Sequence, residues 1–69
     1  MQTLQLQSGG IYSVEDCSLT GKRVNSRYSG PGTIIGKRAG VDCRKKAAFV
    51  IRLDYGGLFL ISRCQFTLL

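Results

Sequence analysis

Glycine sets the limits on what this chain can form. It occurs at nine positions, 9, 10, 21, 30, 32, 36, 40, 56 and 57, and beyond Gly21 no window of a dozen residues keeps an apolar i, i+3, i+4, i+7 pattern free of it. A glycine inside a helix costs ~1 kcal/mol relative to alanine, so a long helix is not expected there. Between the glycines lie short runs rich in Val, Ile, Tyr, Phe and Thr, which suit a pleated, half-buried surface. Short runs of this kind divided by turn chemistry predict an all-β fold.

Beyond residue 20 the pattern predicts five strands. Residues 22–28 alternate, with Val24, Ser26 and Tyr28 on one face and Arg23, Asn25 and Arg27 on the other. Ser29-Gly30-Pro31-Gly32 predicts a turn, because proline presets φ and glycine accepts positive φ. The second strand covers 33–38, where Gly36 reads as a bulge or tight bend. A cationic loop over 39–46 follows, then the most apolar strand over 47–53, with Ala47, Phe49, Ile51 and Leu53 facing a core and Arg52 facing solvent. Asp54-Tyr55-Gly56-Gly57 forms a hairpin turn before the strand over 58–62. One 3₁₀ turn over 63–65 leads to a closing strand over 66–69. Residues 1–20 read as an additional N-terminal strand or docking segment, in which Leu4 and Leu6 alternate with Thr3, Gln5 and Gln7.

A chain of 69 residues has room for one small domain and none for a dinucleotide-binding or (β/α)₈ scaffold. Its longest apolar run, residues 47–51, is far short of a membrane-spanning helix, and no basic start leads into an apolar leader. A cytoplasmic protein with no membrane partner is expected, from a bacterium, a phage or another mobile element. Charge points to the kind of partner. Ten Lys and Arg against four Asp and Glu give +6. Residues 1–20 hold Glu15 and Asp16 and no cation, whereas residues 21–69 hold every cation with only Asp42 and Asp54. A surface of that sign attracts nucleic acid or an acidic protein face.

Three stretches carry a resemblance. Gly21-Lys22-Arg23-Val24, Gly30-Pro31-Gly32-Thr33-Ile34-Ile35 and Val50-Ile51-Arg52-Leu53-Asp54-Tyr55-Gly56-Gly57 resemble small bacterial SH3-like modules. These are similar in pattern to KOW and Tudor domains and to the RNA-polymerase-interacting domain of CarD and of the transcription-repair coupling factor. The resemblance covers residues 21–69 and implies a five-stranded SH3-like barrel with an extra N-terminal segment. It implies ribosomal RNA, polymerase subunits or modified peptides as partners, without choosing among them.

Catalytic apparatus is not legible. Without histidine, neither a Ser-His nor a Cys-His pair can form, and the adjacent Glu15 and Asp16 would point to opposite faces of a strand. Gly30-Pro31-Gly32 is too short for a phosphate loop and no Lys-Ser or Lys-Thr follows it. Type II dihydrofolate reductase, an oligomeric enzyme on a similarly short SH3-like chain, lines its pore with a Val-Gln-Ile-Tyr strand. Leu58-Phe59-Leu60-Ile61 stands in the matching place here and lacks the Gln and Tyr. The expectation is a non-enzymatic binding module with no cofactor. Cys17, Cys43 and Cys64 are odd in number and widely spaced, so they read as small core or boundary residues in a reducing compartment rather than a disulfide or zinc framework.

Two surfaces are therefore candidates. Arg23, Arg27, Lys37 and Arg38 would merge into one cationic patch if the strands over 22–28 and 33–38 pair, extended by Arg44, Lys45 and Lys46. Tyr28 and Tyr55, at hairpin ends, offer rings for stacking on bases or on an apolar partner. The second surface is apolar. Leu58, Phe59, Leu60 and Ile61 put apolar side chains on both faces of one strand, and Phe66 begins a similar one. Only one face of such a strand can line a small core. The other calls for a cover, either a second copy in a homodimer or residues Leu4, Leu6, Ile11 and Val14.

Overall fold

The computed structural model describes residues 2–7, 9–40 and 48–69. The protein is all-β. Its strands are β1 (Gln2–Gln5), β2 (Ile11–Glu15), β3 (Arg23–Ser26), β4 (Gly30–Arg38), β5 (Ala48–Leu53), β6 (Leu58–Ser62) and β7 (Phe66–Leu68), with a 3₁₀ turn at Arg63–Gln65 before the last. The strands expected after residue 20 all form, and the N-terminal residues add an antiparallel hairpin, β1–β2, to the same sheet.

β4 organises the sheet. One edge pairs with β5 from Gly32 to Lys37. The other edge is divided: β3 takes Gly30 to Thr33, and β2 takes Lys37 and Arg38. The register on β5 shifts between Ile34 and Gly36, so the expected bulge is present and Ile35 is the additional residue. Beyond β3 lies β7, giving the path β7-β3-β4-β5-β6. Only the three-residue 3₁₀ turn joins its two ends, so the path curls around a core. Among the described residues no ladder joins β6 to β7, and the sheet is open rather than a closed barrel.

The β3–β4 turn differs from the expected one. It comprises residues 27–29, and Gly30-Pro31-Gly32 already belongs to β4. Pro31 is tolerated in the strand because it lies beyond the end of β5. Its carbonyl accepts from Asp54 N–H at 3.0 Å, and no ladder bond is asked of its missing N–H. Gly30, at φ 84°, supplies the positive φ that ends the turn.

Two apolar clusters lie on opposite faces of β5–β6. Val24, Ile34, Phe49, Ile51, Leu53, Ile61 and Phe66 form the first, with Phe49 and Phe66 edge to face at 5.5 Å. Leu6, Val14 and Val50 form the second, with Leu4, Tyr12, Ile35, Leu58 and Leu60 packed against them. The N-terminal hairpin is thus the cover over the outer face of β6. Ile11 departs from the expected cover. It pairs with Gln5 on the hairpin's outer face and is 68% exposed, and Tyr12 packs inward in its place.

Gly36 marks the closest approach of β2 to β4. A Cβ there would lie 2.6 Å from the Glu15 carbonyl oxygen and 2.8 Å from Val14 Cγ1. Backbone cannot yield as a flexible side chain does. Gly36→Ala is therefore expected to lower stability by ~1–3 kcal/mol in urea unfolding. An unchanged midpoint would show that the strands do not approach this closely.

Candidate functional site

The register separates the four cations expected to form one patch. β3 ends at Ser26, opposite Gly30, and Arg23 stands opposite Thr33. Lys37 lies four residues further along β4, roughly 13 Å at the usual rise per residue. Arg27, beyond Ser26 in the turn, lies further still from it. The physical cause is the hairpin register, which sets Arg23 opposite Thr33 and leaves the far half of β4, beyond the start of β3, to β2. Lys37 accordingly pairs with Glu15, its cross-strand neighbour, and Arg38 lies over the Tyr12 ring at 4.8 Å from its centre. Arg44, Lys45, Lys46 and Cys43 lie outside the described residues.

Arg23 is also neutralised. Its guanidinium donates to both carboxylate oxygens of Asp54, at 2.7 and 2.6 Å, and to Thr33 Oγ1 at 2.9 Å. The Arg23–Asp54 hydrogen bonds chiefly hold the Asp54 carboxyl below its ordinary range and raise the Arg23 guanidinium; desolvation opposes them, and the attraction between the charges adds a lesser part. Among the described residues, Lys22, Arg27, Arg38, Arg52 and Arg63 are exposed and make no ion pair. Arg52 continues the row Arg23–Thr33–Arg52 on the outer face of three adjacent strands.

One end of the molecule gathers the remaining candidates. The β3–β4 turn lies beside the β5–β6 turn, joined by the Asp54 N–H bond to Pro31 and by the Tyr55 hydroxyl, which donates to the Ser29 carbonyl at 2.7 Å. On its other side the β3–β4 turn meets the 3₁₀ turn, where Arg27 N–H donates to the Gln65 carbonyl at 2.7 Å. Tyr28 and Tyr55 are 79% and 72% exposed there. Two large rings that are mostly in water, next to the unpaired Arg27, are the most prominent surface feature of this end.

Beside Arg27 lies a polar groove that sequence reasoning did not single out. Asn25, Arg27, Cys64, Gln65, Phe66 and Thr67 line its volume of about 290 Å³. Asn25 and Thr67 are directly opposed on β3 and β7 and face outward because Val24, Ser26 and Phe66 face the core. The two-residue period on each strand was the available signal; the pairing of β3 with β7 was not. Cys64 is exposed on the 3₁₀ turn, contrary to the expected packed position, whereas Cys17 is half-buried against the first cluster.

The apolar surface expected for a second copy is largely occupied from within. Ile61 and Phe66 are buried at 7% and 5% exposure, and Phe59 packs on the same cluster. Leu58 and Leu60 pack under the N-terminal hairpin. Among the described residues, no group of three His, Cys, Asp or Glu could hold a metal ion, and no helix is long and apolar enough to cross a membrane. Comparison with family models, with curated proteins and with solved structures returned no match to this chain.

The Arg23–Asp54 pair makes a definite statement about pH. A carboxyl lowered by folding contributes stability above the ordinary carboxylate range, and that contribution is lost as pH falls through the lower folded value. An NMR titration is expected to place Asp54 below the unperturbed ~3.9, and Arg23→Met should return it to that range. An ordinary Asp54 in the unaltered chain would show that the pair does not persist in solution.

Proposed function

We propose that this protein is a non-enzymatic, SH3-like module that binds nucleic acid through its β3–β4 and β5–β6 turns. The observation that carries the reading is the exposure of Tyr28 and Tyr55 on two turns linked by the Tyr55–Ser29 bond, with the unpaired Arg27 next to Tyr28 in the chain. Large aromatic rings normally bury most of their surface, and rings left in water beside a cation make a stacking platform with a phosphate contact. The strand path β7-β3-β4-β5-β6, with a 3₁₀ turn before the last strand, supports the SH3-like assignment. Lys22, Arg52 and Arg63 add exposed charge, and the overall +6 favours association with a polyanion. Backbone contacts of this kind are largely independent of sequence.

An acidic protein would answer the same charge, but it has no planar bases to occupy two exposed rings. Fluorescence anisotropy with labelled oligonucleotides tests the reading. With about three phosphates contacted, affinity is expected to fall roughly 20-fold between about 50 and about 200 mM salt. Tyr28→Ala and Tyr55→Ala should each weaken binding by ~1–3 kcal/mol, and Arg27→Glu should weaken it further at low salt. Absence of binding at low salt, with an acidic protein retained from nuclease-treated lysate, would overturn the reading.

A further inference from the structure

We propose that the groove between β3, β7 and the 3₁₀ turn receives one unpaired base of a single-stranded nucleic acid. The inference rests on the nucleic-acid reading above and names its ligand more closely. The lining is uncharged except for Arg27 at one end. Asn25 and Gln65 side chains each carry both an acceptor and two donors, and the Thr67 hydroxyl carries both kinds. Gln65 Oε1 accepts from Ser62 N–H at 3.4 Å, which leaves its amide N–H groups for a ligand. Among the described residues, Asn25 and Thr67 have no side-chain hydrogen bond. Base edges present donors and acceptors together, whereas a bare phosphate presents acceptors to a cation. This lining suits the base.

The order of groups around the rim supports the same occupant. Gln65, Arg27, Tyr28, Ser29 and Tyr55 follow one another through the bonds from Arg27 N–H to the Gln65 carbonyl and from the Tyr55 hydroxyl to the Ser29 carbonyl. Groove, cation and rings therefore succeed one another as base, phosphate and bases do along a single strand. A duplex keeps its bases stacked on each other and presents phosphate outward, so it can fill neither the rings nor the groove. A volume of about 290 Å³ has room for one planar base.

Cys64 lines this groove and is exposed, which makes its alkylation a direct report of occupancy. Cys17, half-buried beside Leu19 and away from the groove lining, is the control in the same molecule. Iodoacetamide labelling of the full chain, read by peptide mass spectrometry, is compared with and without a mixed-sequence oligonucleotide at about ten times its Kd. Single strands, tested as deoxy- and ribo-oligonucleotides, are expected to slow Cys64 labelling roughly tenfold, the factor set by the fraction of free sites, and to leave Cys17 unchanged. Duplex of the same sequence and inorganic phosphate alone should give no protection of Cys64. The double variant Asn25→Ala, Thr67→Ala should lose the protection while its anisotropy still reports binding at the tyrosines.

Binding of a single strand with Cys64 labelled at the free rate would overturn the groove and leave the nucleic-acid reading standing. Equal protection by duplex or by phosphate would overturn the unpaired base as occupant. Absence of binding by every oligonucleotide would overturn both.

Discussion

β5 buries apolar side chains on both of its faces, and the architecture follows from that constraint. Phe49, Ile51 and Leu53 point one way and Val50 the other, and each is at most 2% exposed. Burial at ~25 cal/mol per Å² of apolar area makes leaving either face in water costly for so short a chain. One face is closed by β3, β7 and the first half of β4. The other is covered by the N-terminal hairpin, with Leu4, Leu6, Tyr12 and Val14. The hairpin is therefore structural. Gly36 allows it to seat, since the Glu15 backbone passes through space that a side chain there would fill.

The same seating distributes charge. Of the four acidic residues, Glu15 reaches Lys37 only because β2 pairs with the far half of β4. Asp54 reaches Arg23 only because the β5–β6 turn folds beside the start of β3. Two cations are thereby engaged, and exposed guanidinium groups without an acidic partner are left at Arg27, Arg52 and Arg63. The binding end proposed here is thus defined partly by where the carboxylates are absent among the described residues. An exposed pair such as Arg23–Asp54 stabilises little, so its larger effect is on the surface field.

Local chemistry made most of the fold legible. Alternation gave the strands after residue 20 to within a few residues, and Gly36 marked its bulge. Pro31 misled because proline and two glycines signal a turn in isolation. Its place past the end of β5 removes the need for the N–H it lacks. The cationic patch misled for a different reason. Arg23, Arg27, Lys37 and Arg38 would be neighbours only in another register; the one formed sets Arg23 opposite Thr33 and leaves Lys37 and Arg38 to β2. For the site, the two tyrosines were legible because hairpin ends carry exposed side chains. The groove was not, since Asn25 and Thr67 are 42 positions apart and meet only through the β3–β7 ladder.

Sequence by itself determined the all-β character, the approximate course of the strands after residue 20, the net positive charge and the need for a cover over β6. These depend on residue type and on a period of two, which are properties of neighbours along the chain. Tertiary structure alone decided which segment provides that cover, which cations meet carboxylates, and which side chains line the groove beside Arg27. Those outcomes depend on strand length and register. A one-residue shift of register moves every side chain of a strand to the other face of the sheet, and no local pattern in the chain records the choice.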